Sequence, residues 1–398
     1  MPVTENPGGF LGRSILSIRR NQVASMEGGH DQELEDIDLF TKHIADRFHE
    51  LSPLNEENKD DNKSLLSLPW LRKLLDAFLC CEAEFKAMII LRRNPSHMAK
   101  PPFDRLITEM LDRSVKALDI CNAISHGIDS AHHWQKRAEI AVLALEQRPL
   151  SEGQFRRAKK ALTTLVATMN HDDKGGKTTE RSWSFGMRGS VAPTGKDRTS
   201  GAHLRSLSWS VSKTWSASKQ LQAMAANLAA PRGADMNGLA LPIYTMSTVL
   251  MFVAWVLVTA IPCQDRGGLN MHFPVPPKQL AWAGPMISLQ EKIAEEWRKR
   301  EKKSFVGLME ELQRLEKCAS GLIELGETIQ FPLEEEKMEE IQVQANDLAD
   351  TCRSLEEELV PFQRQVREVF HGIVRSRTEV LDFMGQAQAN RVSTPVLH

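Results

Sequence analysis

Leu239-Ala-Leu-Pro-Ile-Tyr-Thr-Met-Ser-Thr-Val-Leu-Met-Phe-Val-Ala-Trp-Val-Leu-Val-Thr-Ala-Ile261 is a run of 23 residues without a charge. How it is housed decides the architecture. As a helix it extends about 34 Å at 1.5 Å per residue, enough to cross a hydrocarbon core of about 30 Å. The alternative is a central helix enclosed on all sides by other helices, to which Thr245, Ser247 and Thr248 pose no obstacle. Membrane insertion is the expectation, with the enclosed core helix as its rival. Flanking charge sets no orientation, because Lys219 and Arg232 before the run are matched by Arg266 and Lys278 after it. A true span would place the helices on either side of it in different compartments. A tension follows: the helices downstream of the run need apolar partners. The expectation is therefore membrane association with the C-terminal half still cytosolic, by shallow insertion or by exchange between buried and inserted forms.

Those downstream helices carry the most regular pattern. Leu308, Leu312, Leu315, Ala319, Leu322, Gly326 and Ile329 alternate by four and three residues, and Pro332 closes the run. A second series continues through Met338, Ile341, Ala345, Leu348, Cys352, Leu355, Leu359, Phe362, Val366, Val369, Ile373, Ser376, Val380 and Phe383. Heptads sustained this long indicate coiled-coil or bundle packing. Pro361 is expected to kink or divide the second helix. The acidic runs Glu334 to Glu336 and Glu356 to Glu358 read as solvated faces.

Upstream, Leu34, Ile37, Phe40, Ile44 and Phe48 have helical spacing. After a polar stretch from Ser52 to Lys63, Ser67-Leu68-Pro69-Trp70 opens a helix, with Ser67 near the N-cap and Pro69 in the first turn. A longer helix is expected from about Asp104 to Glu146 on Ile107, Leu111, Leu118, Ile124, Ile128, Ile140 and Leu143, bent at Gly127 and stopped by Pro149. Another runs from Glu152 to Met169. Between Arg181 and Arg232 eight basic residues face a single acid, Asp197, amid Ser and Gly. Such a segment buries too little apolar area to offset its conformational entropy. It reads as a disordered basic linker, with a short helix within Lys213 to Leu228.

Composition supports an all-α class: aromatics total 6%, with a single Tyr, while Leu, Ala, Glu and Met are plentiful. The fold expected is an elongated helical bundle with coiled-coil-like C-terminal helices and a disordered basic linker. The map is a flexible tail (1–32), an N-terminal helical region (33–170), the linker (171–238), the apolar helix (239–261), a Pro-rich connector (262–284), the C-terminal helical region (285–385) and a flexible tail (386–398). With a formal charge of −2, no global field draws the chain to nucleic acid or to an anionic membrane.

A search for chemistry finds no catalytic, cofactor or metal site. Cys80, Cys81, Cys121, Cys263, Cys318 and Cys352 form no C-x-x-C pair and read as reduced cytosolic thiols. His126, His132 and His133 lack zinc spacing. Glu82 and Glu84 sit beside Cys80-Cys81, yet alternate residues of a helix point in different directions and cannot pair as acid and base. No phosphate loop or nucleophile elbow occurs. Trp183, Phe185, Trp209 and Trp215 lack a stacking fold, so nucleic acid is not expected as a partner, nor a small-molecule substrate. Arg181-Ser182-Trp183-Ser184 and Arg205-Ser206-Leu207-Ser208 place an Arg three residues before Ser184 and Ser208. Phosphorylation there would add negative charge to a segment suited to acidic lipids or acidic helices. Pro2 stands where myristoylation requires glycine, and no secretory core follows, so the expected site of synthesis is the cytosol.

Several blocks, in order along nearly the whole chain, resemble the plant ROH family, relatives of the BYPASS proteins. They are Phe10-Leu11-Gly12 with Arg19-Arg20-Asn21-Gln22-Val23, Cys81-Glu82-Ala83-Glu84-Phe85-Lys86-Ala87, Glu109-Met110-Leu111-Asp112-Arg113, Arg181-Ser182-Trp183-Ser184-Phe185-Gly186, Trp215-Ser216-Ala217-Ser218-Lys219-Gln220, Pro231-Arg232-Gly233-Ala234 and Gln365-Val366-Arg367-Glu368-Val369-Phe370-His371. The resemblance implies a non-enzymatic adaptor that binds Exo-seventy subunits of the exocyst, in some members restraining secretion. It also implies a membrane segment where Leu239 to Ile261 lies, and the location expected for the chain is the cytoplasm and the cytoplasmic face of a membrane, with a single-pass form as the alternative. No motif in it assigns the binding surface or any catalytic residue. A self-associating coiled-coil membrane scaffold is the rival function, and an enzyme with an unrecognised helical site the remaining one.

Overall fold

The computed structural model describes residues 29–52, 64–91, 100–171, 215–233, 238–263, 275–300 and 307–392. Among them every regular element is a helix: α1 (Gly29–Leu51), α2 (Leu68–Leu91), α3 (Phe103–Leu145), α4 (Glu152–His171), α5 (Ala217–Ala225), α6 (Ala240–Ala260), α7 (Ala283–Arg300), α8 (Glu310–Thr328) and α9 (Glu335–Val392).

Local chemistry sets the boundaries. Ser67 Oγ accepts the Trp70 amide at 3.4 Å and caps α2, as its place ahead of Pro69 predicts. Before α4, Ser151 and Gln154 form a reciprocal box: the Gln154 amide donates to Ser151 Oγ (3.3 Å) and the Ser151 amide to Gln154 Oε1 (2.8 Å). Ser216 caps α5 by accepting the Lys219 amide. α9 continues unbroken through Pro361 instead of dividing there. The bond a proline removes would have used the carbonyl of Glu357, an exposed position that water can serve.

Side-chain pairs give the directions of packing. α9 runs antiparallel to α3, with Gln363 bonded to Asp129 (2.8 Å) and Arg377 to the Leu111 carbonyl (2.6 Å). It runs parallel to α2, with Arg72 on Glu358 (2.8 Å) and Lys86 on Glu379 (3.1 Å). α1 lies antiparallel on α2, where Trp70 Nε1 donates to the Leu51 carbonyl at 2.9 Å. α8 bridges α4 and α9. The heptad positions from Ile341 to Ile373 are buried, but by helices of the same chain. At 58 residues α9 is about 87 Å long, and it makes the bundle elongated.

The uncharged run is the centre of this bundle. All 21 residues of α6 are buried, enclosed chiefly by α1, α2, α3 and α5. In this structure the run is therefore a core helix and the membrane-spanning expectation gives way, because helices before and after it pack together around it. Its last carbonyls are met by backbone: the Leu308 amide donates to Thr259 O (2.9 Å) and the Met309 amide to Ala260 O (3.0 Å). This answers the demand that a helix end leaves behind when it is buried. Gly127 makes the same approach possible from α3. A Cβ there would lie 2.0 Å from the Pro262 carbonyl oxygen. Gly127 thus serves close packing inside a helix that runs unbroken from Phe103 to Leu145.

Two further expectations are corrected. Ile140 and Leu143 are 44% and 62% exposed, since α3 turns another face to α4 and α9. Met338, at the start of the second heptad series, is 38% exposed. Most of the expected linker lies outside the described residues, but its end contains α5, whose Leu221 and Met224 are fully buried against the core. Arg113 on α3 holds it, donating from Nε to the Met224 carbonyl at 3.0 Å.

Candidate functional site: a cleft between α2 and α9

The two carboxylates of the Cys81-Glu82-Ala83-Glu84 stretch part company as their spacing requires. Glu84 turns to α1, where Arg47 Nη2 approaches to 2.5 Å and His43 Nδ1 to 3.1 Å. Burial opposes the charge on Arg47, yet the Glu84 hydrogen bond keeps it a firm cation, raised above its ordinary range. Glu82 turns to α9 instead and lies between two spaces. One is an open cleft of about 440 Å³ lined by Leu79, Lys86, Glu368, His371, Gly372 and Arg375, among others. The other is a small cavity of about 30 Å³ whose walls include Phe78, Phe85, Met246 and Leu250. Glu82 and Ser376 line both.

Burial pushes the Glu82 carboxyl up to about 7, against the opposing pull of Lys86, Arg375 and a hydrogen bond to Ser376. Lys86 is engaged with Glu379 at 3.1 Å. Gly372 gives the carboxylate its room: a Cβ there would stand 2.8 Å from Glu82 Oε2. The sequence sets Glu82 aside as an unpaired acid, and Gly372 carries no signal at all. Neither residue shows its role until α2 and α9 are laid parallel.

A second buried carboxyl lies elsewhere. Glu311, 6% exposed, accepts the Leu68 amide at 2.8 Å and so completes the cap of α2 from 243 residues away. Burial raises it to about 7 as well. Buried thiols are held protonated, with Cys81, Cys121 and Cys352 pushed up to about 12 by desolvation. Burial lowers His132. Among the described residues no three His, Cys, Asp or Glu side chains converge to hold a metal. Ser184 and Ser208 lie outside the described residues.

A family model described as "Protein ROH1-like" matches residues 1–384. The chain belongs to the ROH1-like family. Among curated relatives, Protein ROH1A of Arabidopsis thaliana is 51% identical over 419 aligned positions covering all of both chains. Protein ROH1D of the same plant is 45% identical, over 97% of this chain and 99% of its own. No solved structure matches. Two of the blocks by which the sequence resembles ROH proteins, Cys81–Ala87 and Gln365–His371, supply opposite walls of the α2/α9 cleft.

Proposed function

We propose that this ROH1-like chain is a non-enzymatic helical adaptor that binds exocyst subunits of the Exo-seventy type at the cytoplasmic face of a membrane and so regulates secretion. The observation that carries the reading is whole-chain membership of the ROH1-like family. The chemistry of the bundle agrees with it: its buried thiols are protonated, and Arg47, Glu84 and Arg113 are spent on joining helices. The basic stretch from Arg181 to Arg232 suits an acidic lipid surface, and phosphate on Ser184 or Ser208 would weaken that attraction. A self-associating scaffold draws less support, because α2, α3 and α8 already occupy the heptad seam. The test is calorimetric titration of the purified full chain with purified Exo-seventy-type subunits. Saturable binding with Kd near 1 μM or tighter is expected, about −8 kcal/mol. Absence of binding to any such subunit overturns the reading.

A further inference from the structure

The cleft between α2 and α9 has space for a ligand, and its ions do not balance. Its volume of about 440 Å³ lies within the range typical of ligand pockets, roughly 300 to 1,000 Å³. Of its two cations, Lys86 is taken by Glu379, which stands just beyond the lining. Within the lining that leaves Arg375, with His371, beside Glu82 and Glu368. Glu82 is the deeper of the two, beside the apolar cavity behind it. Desolvation disfavours its charged form even with Lys86 and Arg375 nearby, so the resident cations leave it under-compensated. With no side chain at residue 372, the carboxylate lies close against α9, where a Cβ would stand 2.8 Å from Glu82 Oε2. Leu79 and Ala83 offer apolar surface to an aliphatic stem.

We propose that this cleft is the docking site for a lysine or arginine side chain carried on the partner protein, with the Glu82 carboxylate as its counter-ion. The incoming cation supplies the missing charge, its stem lies against Leu79 and Ala83, and Ser376 holds the carboxylate in place. This inference rests on the adaptor reading above, since it names the surface through which the exocyst subunit is held.

Two substitutions on the full chain test it. Glu82→Gln keeps the shape and a hydrogen-bonding oxygen but removes the charge. Gly372→Ala displaces the carboxylate, a cheap movement at the end of a flexible side chain, while raising intrinsic helix propensity. Both variants are expected to keep the parent's helicity and melt no lower than it does. Each should weaken binding of the Exo-seventy-type subunit about tenfold or more, and Glu82→Gln should also flatten the salt dependence of the affinity. If the parent binds and both variants bind as tightly, the cleft is not the docking site and the adaptor reading stands. If the parent does not bind, the adaptor reading fails and takes this inference with it.

Discussion

α6 and α9 are both rich in apolar residues, yet they are housed in opposite ways. α6 has no polar face, so every side chain must be covered, and its C-terminal carbonyls are met by the Leu308 and Met309 amides. α9 gathers its apolar residues into one seam and leaves Val343 and Val360 about 60% exposed without consequence for the packing. The difference teaches that distribution around the axis, more than apolar content, sets where a helix lies. α6 spends its surface on being enclosed, whereas α9 has a charged face left for other use, and the candidate cleft is on it.

The largest effect should come from placing a charge in the enclosed helix. Phe252 is fully buried and stacks edge-on against Phe48, with ring centroids 5.4 Å apart. Phe252→Asp puts an unpaired carboxylate in the core, at a cost of several kcal/mol, so soluble cooperative folding should be lost. Leu348→Asp in the α9 seam should do nearly as much, while Val343→Asp on its outer face should alter stability by less than about 0.5 kcal/mol. Thermal denaturation followed by circular dichroism compares the three. A soluble Phe252→Asp chain that melts as the parent does would mean that α6 is not enclosed in solution.

A middle-sized effect should follow from closing the gap at Gly127. Alanine normally stabilises a helix interior by about 1 kcal/mol over glycine. Here its Cβ would collide with the backbone carbonyl of Pro262, so Gly127→Ala should destabilise by about 2 to 3 kcal/mol. Gly385→Ala on α9, with nothing within 4 Å of its Cβ, should show the ordinary gain. Urea melts that give both changes the same sign would break the comparison.

The smallest effect concerns the segment that closes the end of α6. Glu311 has its folded pKa raised to about 7 from 4.5, so between those values the folded chain holds a proton that the unfolded chain releases. This carboxyl's contribution to stability is thus fully present below about pH 4.5 and is lost as the pH rises through 7. Glu311→Gln retains an oxygen for the Leu68 amide and removes the buried charge. It should be more stable than the parent at pH 8, by about 2 kcal/mol, with the advantage vanishing towards pH 4.5. Denaturation at pH 5, 6.5 and 8 follows the trend, and a variant less stable at pH 8 would show that the charge is better satisfied than its burial implies.

What the sequence discloses is the part of the fold that repeats. The seam from Ile341 to Ile373, the Ser67 cap and the short helix between Lys213 and Leu228 follow from spacing and capping chemistry, and each has its physical cause within a few residues. Ile140 and Leu143 mislead because α3 touches several neighbours in turn, so apolar spacing alone does not settle which side of it is covered. The housing of α6 is illegible from its own residues, since a span and an enclosed helix make the same demand on composition. The cleft is harder still. Glu82 and Gly372 are 290 positions apart, and Glu311 caps a helix 243 residues away. Such pairings arise from packing and leave no local trace.

The closure of α6 by Leu308 and Met309 also orders events in time. Ala260 and Met309 are 49 residues apart, and at roughly 5 to 20 residues per second the ribosome takes about 2 to 10 s to supply that stretch. Throughout this interval the nascent chain carries an uncharged helix-forming segment, long enough for a bilayer, whose final carbonyls still lack their partners. Whether the segment becomes a core or meets a membrane or a chaperone first is then a race between translation and capture, and slow translation between Ile261 and Leu308 would lengthen the odds against burial.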